Sequence, residues 1–213
     1  MCSEFKMDSQ FTNRIVWSDE ATFKIDGTVN RHNAVYYATE NPHITIAKCV
    51  GSPSVTVWAA IHAGGIIGPF FFEGTVTGAT YLAMLQSQFW PEFVALPNHH
   101  NIFFQQDGAP PHYALAVRQW LNEHLKDKWI GRRGPIDWPP RSPDLTPPDF
   151  FLWGFIKNNV FTIRSTNLEQ LKNNIRQSIA SIPVKMCYDV CNSVPHRYTK
   201  CVEAEGRHFE NSL

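Results

Sequence analysis

The sequence predicts a mixed α/β domain, a central sheet of about five strands flanked by helices. Three observations point there. Short runs rich in β-branched and aromatic residues dominate the first part of the chain and then alternate with segments of helical period. Paired glycines join two of those runs as a hairpin. No internal repeat, low-complexity tract or Gly/Ser-rich linker divides the chain, which favours one compact unit over residues 13–213 behind a short tail, residues 1–12.

Asn13 to Ser18 (NRIVWS) predicts the first strand, with Asp19 and Glu20 at its tip. Val55 to Ile61 and Ile66 to Phe72 predict an antiparallel pair turned through His62-Ala63-Gly64-Gly65. Between Thr77 and Val94, Tyr81, Leu82, Leu85, Phe89 and Phe93 recur mostly every three or four residues, a helix that Pro91 is expected to interrupt. Asn101 to Gln106 (NIFFQQ) reads as a fourth strand closing on the turn pair Asp107-Gly108. Pro110-Pro111 is expected to open the next helix, carrying Leu115, Val117, Trp120, Leu121 and Leu125, and Trp129-Ile130 a short fifth strand. Five prolines between Pro139 and Pro148 make a stiff, extended connector. It ends where Pro148-Asp149 starts a helix bearing Phe150, Phe151, Trp153, Phe155, Ile156 and Val160. Asn167 is placed to cap a helix over Leu168 to Ile182, and a last helix runs roughly from Val184 to Glu205.

Composition narrows the function classes. Lys+Arg and Asp+Glu both number 19, so the formal net charge is +0 and any polyanion must be held by a local patch. Five cysteines, odd in number and unevenly spaced, argue against a disulfide framework and for a reducing compartment, the nucleus or cytosol. The first ten residues have no apolar core of a secretory signal. No charge lies between Lys48 and Glu73, but Gly64, Gly65, Gly68, Pro69 and His62 divide that stretch into strand-length pieces rather than a membrane span.

Acids therefore follow the first and fourth strands. If those strands pair in parallel, Asp19 and Asp107 stand about 5 Å apart and can share a divalent ion, with Asp149 closing the site. Hard oxygen donors suit Mg²⁺ or Mn²⁺, and two such ions clamp the attacking and leaving oxygens of a phosphoryl transfer. Asp at a strand end is also an ordinary turn or cap residue, so the pattern alone leaves both readings open.

The stretches VWSDEATF, NRHNAVYYATENPH, VWAAIHAGGIIGPFFFEG, FQQDGAPPH and WPPRSPDLTPPDFFLWG, in this order, resemble the catalytic domain of mariner-like DNA transposases, the DDE/D superfamily of RNase H-like fold. The resemblance runs from about Asn13 to the C-terminus. It implies catalytic, metal-binding acids at Asp19 of the SDE motif, Asp107 of QD and Asp149 of TPPD, with two Mg²⁺ ions for which Mn²⁺ can substitute. It also implies the activity: hydrolysis at a transposon end, then attack of the freed 3′-hydroxyl on target DNA. Double-stranded DNA is the implied partner, a homodimer the implied assembly and the nucleus the implied compartment.

Three departures stand out. Gly108 follows the second acid where relatives commonly have Asn; the third acid is Asp, where many have Glu. The 41 residues between Asp107 and Asp149 (108–148) exceed the commonest family spacing, consistent with an insert around WIGRRGPID. Asp144 of SPDL is the competing third ligand, although its place between Pro143 and Leu145 suits a turn. Only residues 1–12 precede the first strand, so the paired helix-turn-helix domains usual in such transposases are expected to be absent. Their basic charge would be absent with them, in keeping with the +0 balance.

Other candidates are weaker. Arg132, Arg133 and Arg141 around the proline connector, and Arg31-His32, could contact phosphates. His112 of DGAPPH lies close enough to the second acid to approach DNA or the departing oxygen. Cys187, Cys191, His196, Cys201 and His208 could hold zinc, but an i,i+4 cysteine pair on a helix is better read as buried thiols. Trp58 and Trp153 read as core residues rather than base-stacking platforms. The alternative function is a noncatalytic relic, serving as a dimerisation or DNA-associated module.

Overall fold

The computed structural model describes residues 10–27, 52–140 and 142–206. The motif NRHNAVYYATENPH, Arg31-His32, Cys2, Cys49, Arg141 and His208 lie outside them. Five strands form one sheet, β1 (Ile15–Lys24), β2 (Ser54–His62), β3 (Gly65–Phe72), β4 (Phe103–Gln105) and β5 (Trp129–Ile130), in the order β3-β2-β1-β4-β5. The meander β1-β2-β3 is antiparallel, whereas β4 runs parallel to β1 and β5 parallel to β4.

Alternation along β1 divides its side chains between two cores. Ile15, Trp17, Ala21 and Phe23 enter one, with Val57, Ile61, Trp153, Ile156 and Ile175. Val16 enters the other, with Trp58, Tyr81, Phe89, Phe104 and Trp120. The second face is covered by α1 (Gly78–Met84), α2 (Trp90–Val94) and α3 (Leu115–Leu125); the first by α4 (Trp153–Thr162), α5 (Leu168–Ala180) and α6 (Val184–Glu203). Trp58 lies fully buried, stacked on Phe70 with ring centroids 5.3 Å apart, and is a core residue as expected.

Several elements depart from expectation. Asn13 and Arg14 belong to a 3₁₀ turn, Phe11–Arg14, and β1 continues past the acids to Lys24, so Asp19 and Glu20 sit mid-strand rather than at a tip. Antiparallel pairing with β2 from Trp17 to Lys24 sustains that extension. Pro91 does not end its helix. α1 passes through a π-helical turn, Leu85–Phe89, into α2, and the wider turn relieves the clash a proline would make with the carbonyl four residues back. Pro110-Pro111 does not open α3 either; the two prolines stand in a turn, and the helix starts at Leu115 after Ala114.

The β2-β3 turn rests on its two glycines differently. Gly65 has φ +142°, while at Gly64 a Cβ would meet the His62 ring at 2.9 Å. The Gly64 N–H donates to His62 Nδ1 at 3.1 Å, which requires that nitrogen unprotonated, and burial lowers the His62 pKa to about 4. A depressed histidine contributes stability above its ordinary 6.5 and loses it as pH falls through 4. Relative to His62→Asn, the wild-type chain should therefore lose up to about 1.4 kcal/mol per pH unit across that window in urea titrations. Parallel pH profiles for the two proteins would refute it.

No helix among the described residues is long and apolar enough to cross a membrane. The charge-poor stretch forms the β2-β3 hairpin. Cys187 and Cys191 lie on the buried side of α6, and burial together with Cys187 pushes the Cys191 thiol up to about 12. Both behave as small apolar residues.

Candidate active site

The parallel register sets the site. Trp17 pairs with Gln105, so Asp19 and Asp107 each lie two residues beyond the last shared rung of β1 and β4. Asp149 stands in the first turn of the π-helical segment Pro148–Leu152, which runs directly into α4. All three acids line one cavity of about 760 Å³, with Arg132, Arg133, Trp138 and Thr146. Asp144 is not among its lining residues; its backbone carbonyl instead accepts a bond from Arg197 at 3.1 Å.

Each carboxylate has a local partner. Trp153 Nε1–H donates to Asp19 Oδ2 at 2.8 Å, Thr146 Oγ1–H to Asp149 Oδ2 at 2.6 Å, and the Ala109 N–H to Asp107 Oδ1 at 2.9 Å. Trp153 is thus both a core residue and a holder of Asp19.

His112 differs from expectation. It is buried, 3% exposed, with Nδ1 2.5 Å from Asp107 Oδ1 and Nε2 3.1 Å from Glu20 Oε1. Both ring nitrogens are engaged, so the residue has no edge to offer DNA and holds Asp107 in place instead. Burial alone would lower its pKa, but Glu20 and Asp107 overcome this and raise it to about 10, so the ring is a cation between two anions. Gln106 Nε2–H donates to the His112 carbonyl at 3.1 Å, and the buried Tyr81 hydroxyl donates to Gln106 Oε1 at 3.0 Å. The Tyr81 ring lies 4.2 Å from the imidazole.

Glu20, Tyr81 and Gln106 were not singled out from sequence. Their signal is the pleat: neighbours Asp19 and Glu20 project to opposite faces of β1, so one reaches the cavity while the other meets His112. Lys157 was also missed. It stands four residues beyond Trp153 on α4, and its charge opposes the upward shift of the Asp149 pKa.

Burial, then repulsion from Asp149, Glu20 and Asp107, raises Asp19 well above the usual carboxylate range despite the Trp153 bond. Asp149 is likewise raised, by partial desolvation and by Asp107 and Asp144, against its Thr146 bond and Lys157. For Asp107, burial pushes upward but the bond and charge of His112 outweigh it and hold the pKa low. Such a set of hard oxygens, short of compensating charge, fits a divalent cation in donor type and in charge. Among the described residues, however, no group of three or more His, Cys, Asp or Glu side chains is gathered closely enough to hold an ion.

Arg132 and Arg133 occupy the middle of a tight turn after β5, closed by the Gly134 N–H on the Gly131 carbonyl at 3.0 Å. Both are exposed at the cavity mouth.

No protein-family model matches the chain. It is 28% identical over 201 residues to the Tc1 transposase of Caenorhabditis elegans, across 90% of this chain and 68% of that protein. Against the Tc3 transposase of the same species it is 26% identical, across 95% of this chain and 60% of the relative. The chain is a homologue of the Tc1/mariner transposases. Its fold is that of the catalytic domain of the Mos1 mariner transposase, RNase H-like, with a TM-score of 0.74 at 23% identity over 98% of this chain and 89% of that one. A Mos1 paired-end complex with the left transposon end matches with the same TM-score of 0.74 at 24% identity, over 98% of this chain and 60% of that chain. Other Mos1 paired-end structures similar to this transposase homologue contain Mg or Mn.

Proposed function

We propose that this chain is the catalytic domain of a metal-dependent DNA transposase in which Asp19, Asp107 and Asp149 hold two divalent ions. The observation that carries the reading is the convergence of these acids, from two parallel strands and a helix start, on one cavity with uncompensated negative charge. It is supported by transposase relatives along nearly the whole chain and by Mos1 structures holding transposon-end DNA, Mg or Mn.

Mg²⁺ or Mn²⁺, when bound, supplies Lewis-acid stabilisation of the charge that develops on the transferring phosphorus and its leaving oxygen. The protein's part is positional. Asp107 is fixed by His112 and the Ala109 N–H, Asp19 by Trp153 and Asp149 by Thr146, so the acids are presented from rigid elements. In the first step a water oxygen forms the bond to phosphorus and the bond to the 3′-oxygen breaks, leaving a 3′-hydroxyl and a 5′-phosphate. In the second, that 3′-oxygen bonds to a target phosphorus, and the target's own 3′-oxygen departs with a proton. Neither step requires a covalent protein nucleophile.

Arg132 and Arg133 at the cavity mouth contact DNA phosphates in this reading, and a dimer pairs two transposon ends in the nucleus. A joining assay tests it. A short duplex with a free 3′-hydroxyl and a supercoiled plasmid, incubated with the chain and Mn²⁺, should yield joined and nicked plasmid. The alternative, a noncatalytic relic, is favoured by the separate protein partners of the three acids; it predicts no product above an Asp107→Asn control.

A further inference from the structure

Tyr113 and Arg118, to which the phosphoryl-transfer scheme gives no part, form one cluster with Arg132 and Arg133. Three guanidinium carbons lie around its ring, Arg132 at 4.4 Å from the centroid, Arg118 at 4.5 Å and Arg133 at 5.6 Å. Arg118 is anchored further by its Nε–H on the Tyr113 carbonyl at 3.2 Å. Arg132 lies along the loop of the second acid, where a Cβ at Gly108 would stand in ordinary contact with its side chain at 3.4 Å.

Like charges do not gather without cause. Among the described residues none of these arginines forms an ion pair, although Asp107 and Asp137 border the same cavity. Asp137 takes the backbone N–H of Arg133, not its guanidinium. Donors are thus held by stacking on an aromatic face and by a closed turn, and they remain available to an acceptor outside the protein. Planar forks of this kind suit phosphate oxygens. Three of them around one ring concentrate positive charge in one place, which suits a polyanion whose phosphates follow one another along a strand.

We infer that Tyr113, Arg118, Arg132 and Arg133 form a pre-ordered grip for consecutive backbone phosphates of duplex DNA, on the Asp107 side of the cavity. Tyr113 is a positioning residue, since it orders the arginines rather than the DNA. The inference rests on the transposase reading for its substrate. It is tested without catalysis, so that a failure of one is distinguishable from a failure of the other.

The experiment is fluorescence anisotropy of a labelled 25-base-pair duplex with the whole chain in EDTA, over a series of salt concentrations. Wild-type protein should bind with an affinity that falls steeply with salt. Arg118→Ala, Arg132→Ala and Arg133→Ala should each flatten the plot of log K against log salt by about 0.9. Tyr113→Leu should weaken binding as much as at least one arginine variant, and Tyr113→Phe, which keeps the ring, should bind as wild type does. Thermal unfolding of the same preparations separates lost contacts from lost fold, and the exposed Arg132 and Arg133 variants should unfold as the wild type does. Unchanged slopes in the arginine variants, or wild-type protein that fails to bind the duplex at low salt, would overturn the inference. Tyr113→Leu binding as wild type would overturn the role of the ring.

Discussion

Asp19→Asn should reduce strand joining by about 10³-fold or more, the loss expected when a metal-held charge worth several kcal/mol leaves the transition state. The same change should make the metal-free fold more stable at pH 7. The Asp19 pKa is raised in the folded chain, so its carboxyl contributes fully only below its ordinary value of 3.8, and that stability is lost as pH rises through the folded value. Burying a carboxylate opposite Asp149, Glu20 and Asp107 penalises its charged form, and an amide at this position escapes that penalty. An Asn oxygen can still accept the Trp153 N–H. Opposite signs for activity and stability identify a functional charge rather than a structural one. Denaturant titrations in EDTA beside joining assays in Mn²⁺ check both signs, and a less stable Asn variant would count against the electrostatics described.

His112→Ala should have the largest effect on stability. Removing the ring leaves Glu20, with a side chain 15% exposed, and Asp107 without the cation between them. Breaking a buried ion pair by deleting one partner typically costs about 3–5 kcal/mol. Part of Asp107 remains in solvent, so the lower end of that range is expected. His112→Gln, whose amide N–H can donate to one of the carboxylates but carries no charge, should recover part of the loss. Because Asp107 is positioned through His112, joining activity should fall in both variants. Equilibrium unfolding in urea reads the stability, and a change below about 0.5 kcal/mol in His112→Ala would contradict the bridge.

Much of this arrangement was legible in the residues. The Gly64-Gly65 hairpin, the short strand before Asp107 and the helix behind Asp149 follow from local pattern and turn chemistry, and they bring the three acids to one cavity. The boundaries that failed did so where long-range pairing decides. β1 reads as ending at Ser18 because two acids follow it, yet its partner β2 continues opposite to Lys24. Pro91 reads as an interruption because a period of 3.6 is assumed, and the chain accommodates it by a local π-turn. The bridge from Glu20 through His112 to Asp107 joins residues 92 apart in sequence, and only the pleat of β1 and the turn before α3 bring them together. His112 read in isolation suggested a DNA contact; its burial between two carboxylates makes it a support for the second acid.

Thermal unfolding with and without excess Mn²⁺, on wild type, Asp19→Asn and Asp149→Asn, tests most directly whether these acids hold metal. At Mn²⁺ 100 times its dissociation constant, the wild-type fold should gain about 2.7 kcal/mol, and both variants should lose that gain. An equal gain in all three proteins, or none in folded wild type, would contradict the assignment of the metal to Asp19 and Asp149.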